Sequence, residues 1–216
     1  MLTKKEIAAL RTDYKKSTLD IKDVRSKPMD QFKLWFNEAV EAQIAEPTAM
    51  TLSTCTKNCI PSSRIVLMKY FDKDGITFFT NYDSKKGKEM LTNPNVSILF
   101  FFKELERQIR IEGKAVKILK KHSQDYFNTR PLQSRIGAIA SAQSEMLSSR
   151  EDLEEEVADL MEAFKDKKVV PVPRNWGGYK IIPKYFEFWQ GRRSRLHDRI
   201  VYELKKGKWE KYRIAP

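Results

Sequence analysis

Residues 48–81 read TAMTLSTCTKNCIPSSRIVLMKYFDKDGITFFTN, and this run decides the fold class. Thr, Leu and Met dominate 48–56, and β-branched and aromatic residues dominate 60–71, with Lys57-Asn58 as a short hairpin connection between them. Asp72-Lys73-Asp74-Gly75 is a turn, and 76–81 is the next strand. Ser84 then caps a short helix over 84–91, closed by Asn93-Pro94, and two further strands follow at 96–102 and 108–119. Gly113, inside the second, marks a bulge or a close backbone approach. A meander of short strands with inserted helices is the pattern of a small barrel.

The flanks fit that frame. From 28 to 45, Phe32, Trp35, Phe36, Ala39, Val40 and Ile44 recur at helical spacing, with Pro28 near the start. The middle is helical at 120–128, 134–142 and 148–164, the last opened by Ser148-x-x-Glu151 as a capping box. Between 148 and 167 stand 8 acidic residues against 3 basic, which reads as a solvated face. Val170-Pro171-Val172-Pro173 is a stiff, extended link, and strands resume at 178–182, 185–190, 196–204 and 209–214. The expected class is mainly β with helices (α+β). Residues 1–27 are expected to be a flexible segment, and 28–216 one domain with a helical insert around 120–165.

The chain of 216 residues carries 41 Lys+Arg against 29 Asp+Glu, a net charge of +12. Such a surplus points to an anionic partner: nucleic acid, a membrane surface or a small phosphate. Hydrophobic residues at 41% and aromatics at 11% exclude a disordered tail. No apolar run reaches the roughly 18 residues of a spanning helix, and Met1-Leu2-Thr3-Lys4-Lys5-Glu6 does not open a secretory signal, so a cytoplasmic location is expected. Cys55 and Cys59, without further cysteines or a nearby His, read as reduced thiols rather than as a zinc site. No metal is expected.

The cations cluster at strand ends and turns. Arg64 begins and Lys69 ends the run through Ile65-Val66-Leu67-Met68; on a regular strand their odd spacing sends them to opposite faces, unless a bulge intervenes. Lys85 and Lys86 occupy the first turn of the helix capped by Ser84, where anions and not cations belong, which favours a bound phosphate. Tyr126 and Arg130 are i and i+4, with Ser134 four further on: hydroxyl, guanidinium and hydroxyl on one helical side suit a phosphate. Residues 180–216 hold 11 basic and 4 acidic side chains. There Arg195, His197 and Arg199 alternate to one face of a strand beside Trp189, a recognition surface for a planar anion.

Several spaced stretches together resemble the pyridoxine/pyridoxamine 5′-phosphate oxidase family. They are Arg64-Ile65-Val66-Leu67-Met68-Lys69, Phe79-Thr80-Asn81 with Ser84-Lys85-Lys86, Glu106-Arg107-Gln108, Gln143-Ser144, the stretch 171–178, and Phe188-Trp189-Gln190-Gly191 followed by Arg195-Leu196-His197-Asp198-Arg199, with Arg213-Ile214-Ala215-Pro216 at the end. The resemblance covers nearly the whole chain from Arg11. It implies an FMN-binding split β-barrel, a homodimer with FMN at the subunit interface, and no nucleic-acid or membrane partner. FMN contacts fall on Arg64, Ile65, Val66, Leu67, Met68, Lys69, Phe79, Thr80, Lys85, Lys86, Gln108, Gln143, Ser144, Trp189 and Arg199. Contacts to pyridoxamine or pyridoxine 5′-phosphate fall on Lys69, Tyr126, Arg130, Ser134, Arg195 and His197, with Arg11 and Tyr14 as a mobile lid and Arg195 and His197 nearest the chemistry. The implied reaction uses oxygen to make pyridoxal 5′-phosphate and hydrogen peroxide. Phe79 stands where a Tyr is common and Lys85 where Arg is frequent, which loses a bidentate grip on phosphate. Two rival expectations remain: a non-catalytic flavin-binding relative, and a basic nucleic-acid-binding barrel.

Overall fold

The computed structural model describes residues 2–10, 13–167 and 169–216. Six helices and nine strands occur among them: α1 (Lys4–Ala9), α2 (Pro28–Glu41), β1 (Ala49–Cys55), β2 (Pro61–Leu67), β3 (Tyr70–Asp72), β4 (Gly75–Asn81), α3 (Lys85–Thr92), β5 (Asn95–Phe102), β6 (Arg107–Lys117), α4 (Lys120–Thr129), α5 (Leu132–Ala140), α6 (Arg150–Phe164), β7 (Trp176–Gln190), β8 (Asp198–Lys205) and β9 (Lys208–Arg213). The strands follow the order β2-β1-β5-β6-β7-β4-β3, with β8 paired to β7 and β9 to β8. Contacts divide the chain into two compact units. The first comprises 1–47, 98–112 and 184–216; the second comprises 48–97 and 113–183.

In the second unit, β1 and β2 pair antiparallel from Ala49↔Leu67 to Cys55↔Pro61. The expected single strand over 60–71 is broken. Met68 N–H donates to the Thr48 carbonyl at 2.9 Å, whereas Lys69 N–H donates to that of Thr77 at 2.8 Å. The chain thus exchanges its β1-side partner for β4 between those two residues, and a separate β3 results. Gly113 is a close approach: a Cβ there would lie 2.2 Å from the Ile182 carbonyl oxygen. Phe127, Ile136, Val170 and Trp176 form a buried cluster, against which Val157, Leu160, Met161 and Phe164 of α6 pack. The cap of α6 is Ser149, which accepts from Asp152 N–H, one residue beyond Ser148, where the capping box was expected.

In the first unit, α2 ends at Glu41 with Ala42 as its cap, and Gln43 takes a left-handed φ of 54°, so Ile44 lies beyond the helix. Phe32 and Trp35 of α2 meet Phe100 and Phe188 edge to face at 5.3 Å each. These rings account for much of the buried apolar surface here. Residues 178–190, expected as two strands parted at Pro183, belong to one strand, β7. Its pairing with β4 stops at Ile181 and that with β8 starts at Tyr185. Pro183 falls in the gap, where its missing N–H costs neither ladder a bond.

Candidate functional site

A cavity of about 540 Å³ opens in the second unit. β2 lines it with Arg64, Ile65, Val66 and Leu67, β4 with Phe79, Thr80 and Asn81, and α3 with Lys86. Lys69, Tyr126, Arg130, Ser134, Gly137, Ala138, Ser141, Gln143 and Trp176 complete the wall. The break after Leu67 explains how Arg64 and Lys69 reach one cavity despite their odd spacing.

Each cation is held by its element. Ser84 accepts from Gly87 N–H and starts α3, which sets Lys86 in the first turn. The Lys86 ammonium donates to Gln143 Oε1 at 3.0 Å, Thr80 Oγ1 at 3.2 Å and Ser84 Oγ at 3.3 Å, all neutral oxygens. Burial, and then the Arg64 charge, push the Lys86 pKa down. Arg64 donates to the Leu52 carbonyl at 3.2 Å and to the Thr54 and Ser62 hydroxyls, and lies 3.5 Å from Glu89. Burial raises the Glu89 carboxyl, but Thr54, Ser62 and Arg64 outweigh it and hold the group below its usual range.

Tyr126 and Arg130 do not continue into Ser134 along one helix. α4 ends at Thr129, and Arg130 is extended (φ −74°, ψ 147°) because the residue before a proline avoids helical backbone. Ser134 belongs to α5. All three nonetheless line the cavity. The Arg130 guanidinium lies 5.0 Å from the Trp176 ring centre and 5.8 Å from that of Phe127. Its Nη1 is buried and has no hydrogen-bond partner among the described residues, and burial pushes its pKa down. Tyr126 stacks on Phe79 at 4.0 Å, and burial raises its phenol pKa. An orphaned buried guanidinium nitrogen, a lysine bonded only to neutral oxygens and a wall without any carboxylate fit a phosphate-bearing ligand.

Tyr14, Gln108, Trp189, Arg195, His197 and Arg199 belong to the first unit. Trp189 and His197 pack 4.6 Å apart, with Tyr14 edge-on to both at 5.6 and 5.9 Å. Arg195, His197 and Arg199 do not alternate on a strand. Arg193–Arg195 is a 3₁₀ turn in which Ser194 and Arg195 are left-handed (φ 56° and 61°), and β8 starts only at Asp198. Arg192 N–H donates to His197 Nδ1 at 3.0 Å, which closes the loop and leaves Nε2 to carry the proton of the neutral ring. Burial and then Arg195 push the His197 pKa below its usual value, against Asp198. Arg199 donates to Glu187 Oε1 at 2.8 Å and to the Ala215 carbonyl.

Of the residues expected to contact FMN, Met68 is 3% exposed in the interior, Lys85 points outward to within 3.9 Å of Glu89, Ser144 is exposed, and Gln108 belongs to the first unit. Arg11 lies outside the described residues. Asn81, Gly137, Ala138, Ser141 and Trp176 line the cavity without having been singled out. Helical spacing from Ser134 would have found Gly137, Ala138 and Ser141.

Residues 36–161 match the family model described as pyridoxamine 5′-phosphate oxidase, and residues 176–216 match the model of the pyridoxine 5′-phosphate oxidase C-terminal dimerisation region. The chain belongs to the pyridoxine/pyridoxamine 5′-phosphate oxidase family. Members of this oxidase family resemble it over its whole length. The one from Herminiimonas arsenicoxydans is 49% identical over 97% of this chain and 99% of its own, and that from Cytophaga hutchinsonii 47% over 99% and 100%. Among solved structures, PhzG from Burkholderia lata 383, in complex with tetrahydrophenazine-1-carboxylic acid, matches with a TM-score of 0.88, 31% identity and coverage of 93% and 98%. A pyridoxamine 5′-phosphate oxidase-related, FMN-binding protein from Nostoc punctiforme superposes with a TM-score of 0.70 at 17% identity, covering 89% of this chain and all of that one. The fold is the α+β split barrel of such oxidases. No helix among the described residues is long and apolar enough to cross a membrane.

Proposed function

We propose that the chain oxidises pyridoxamine 5′-phosphate and pyridoxine 5′-phosphate to pyridoxal 5′-phosphate, with FMN as cofactor, oxygen as acceptor and hydrogen peroxide as co-product. The observation that carries this reading is the cationic, carboxylate-free cavity with its orphaned Arg130 nitrogen. Arg64 and Lys86, with Thr80 and Gln143 beside them, are suited to the cofactor's phosphate, and Lys69, Tyr126, Arg130 and Ser134 to the substrate's. Bound FMN supplies a two-electron acceptor that oxygen regenerates.

The protein's own part is to bind, orient and balance charge. A guanidinium is a poor base, so the role of Arg195 is to orient the pyridine and balance charge at the site. His197 stands neutral, with Nδ1 occupied by Arg192 N–H and Nε2–H free to donate to the ring. We assign the working form as a homodimer with FMN at the subunit interface. The match of 176–216 to a dimerisation region supports it, as do exposed Ile65 and Leu67 at the cavity rim. Peroxide release from pyridoxamine 5′-phosphate with added FMN is the test, with unphosphorylated pyridoxamine as comparator. FMN-dependent peroxide from the phosphorylated amine is expected; its absence at full FMN loading overturns the reading.

A further inference from the structure

Residues 14–19 cross the first unit as a strap held through its backbone. Lys15 and Lys16 both donate their N–H groups to Glu106 Oε2, at 2.8 and 2.9 Å. The Lys16 ammonium reaches the Glu104 carbonyl at 2.5 Å, and Leu19 N–H donates to Asp198 Oδ2 at 3.0 Å. Glu106 is 7% exposed and forms no ion pair among the described residues, where its carboxylate takes hydrogen bonds only from the strap. Its backbone is committed to the other side: left-handed at φ 54°, it accepts Gly191 N–H at 2.7 Å and Gln190 Nε2 at 3.2 Å.

Gly191 completes the fit. A Cβ at this position would lie 2.7 Å from Tyr14 Cγ, 2.8 Å from Tyr14 Cβ and 3.1 Å from Glu106 Cβ. The near end of the Tyr14 side chain cannot swing clear of such an atom, so the strap would have to move. Docked, it sets the Tyr14 ring edge-on against Trp189 and His197. It also walls a cavity of about 530 Å³ shared with Arg192, Arg193, Ser194 and Leu196.

We propose that Glu106 is the latch, and Gly191 the seat, that hold residues 14–19 across the Trp189–His197 pair, which makes Glu106 a positioning residue for substrate. A charged acceptor shared by two backbone donors gives strong bonds whatever side chains the strap carries. The latch rests on geometry alone; its effect on substrate rests on the proposed role of His197.

The test is trypsin cleavage after Lys15 and Lys16 in the full-length, FMN-loaded protein, followed by mass, alongside steady-state kinetics. Glu106→Ala should speed this cleavage by about tenfold, the scale of a lost hydrogen bond to a charged group. Glu106→Gln, whose amide oxygen still accepts without charge, should fall between it and the parent. Gly191→Ala, with Glu106 intact, should speed cleavage as well. In all three, KM for pyridoxamine 5′-phosphate should rise while kcat and FMN affinity stay within about twofold, a split that general loosening of the fold would not give. Unchanged cleavage in folded Glu106→Gln and Gly191→Ala overturns the latch. Faster cleavage with an unchanged KM overturns its role in positioning substrate. A parent protein without activity defeats the functional reading instead, and the cleavage rates still decide the latch.

Discussion

The first unit and the cavity of the second handle positive charge in opposite ways. In the first, Arg107 pairs with Glu38, Arg110 and Arg199 share Glu187, and Arg192 and Arg213 share Asp198. In the second, the cavity wall carries Arg64, Lys69, Lys86 and Arg130 without one carboxylate, and among the described residues Arg64 alone of these four is backed by an acid, Glu89. The first unit therefore spends most of its described arginines on holding strands and loops, whereas the cavity of the second keeps cations in reserve. Net charge, +12 over the chain, says nothing about this division. A nucleic-acid footprint needs free cations along a surface. The dense basic block at 180–216 looks like one in sequence, yet Lys180, Arg192, Arg199, Lys205 and Arg213 within it each pair with an acid.

Arg195, like Arg25 and Arg193, forms no ion pair among the described residues of the first unit, and it breaks the comparison most sharply. Arg195→Met should lower turnover by about 10²–10³-fold, the usual loss when one preorganised charge-stabilising group is removed. FMN affinity, read by flavin fluorescence, should barely move. Unchanged turnover with pyridoxamine 5′-phosphate would show that this free arginine is as idle as its paired neighbours are structural. Next in size is Arg130→Met. Removing one charge-assisted phosphate contact, worth about 1.5–3 kcal/mol, should reduce kcat/KM for the phosphorylated amine by roughly 10–100-fold. The rate with unphosphorylated pyridoxamine should be untouched. Equal losses for the two amines would mean that Arg130 serves the ring and not the phosphate.

Most of the strands and helices were legible because period-two and helical patterns fix local structure wherever one face is buried. What escaped was what the backbone does between elements. Odd spacing put Arg64 and Lys69 on opposite faces, and only the exchange of hydrogen-bond partner at Met68–Lys69 brings them together. The i, i+4 spacing from Tyr126 makes Arg130 helical, but Pro131 after it forbids that. Arg195 and His197 were read as strand, and two successive left-handed residues that no glycine announces make them a loop. Trp176 was passed over because its part in the cavity depends on rings distant in sequence, Phe79 and Tyr126, which stack with it at 5.3 and 6.2 Å. The family resemblance supplied residues that spacing alone could not, but no geometry.

The first unit's side of the comparison is sharpened by Glu187, 3% exposed and shared by Arg110 and Arg199. Glu187→Gln leaves two guanidiniums facing a neutral amide, and both arginines are partly exposed, so water recovers some of the loss. A cost of about 2 kcal/mol is expected, below the 3–5 kcal/mol of a deeply buried broken pair. Chemical denaturation should show the shift while FMN affinity is preserved. A weaker FMN complex at unchanged stability would move Glu187 out of the scaffold.

The smallest effect concerns Lys86 and carries its own pH signature. Its folded pKa is lowered by burial and by Arg64, so the charged form is disfavoured until an anion arrives. An anion binds the protonated lysine, so affinity is fullest below the folded pKa. It falls as pH rises through that value, before the ordinary lysine range is reached. FMN binding titrated from neutral to alkaline pH should show this early decline. Lys86→Met should weaken binding about tenfold at neutral pH, as one lost charge-assisted contact would, and should flatten the alkaline limb. Tenfold weakening with the limb intact would assign the titration to another group of the cavity. The lysine would then serve only as a point charge, and the cavity's reserve of cations would be set by its rim and not by its buried wall.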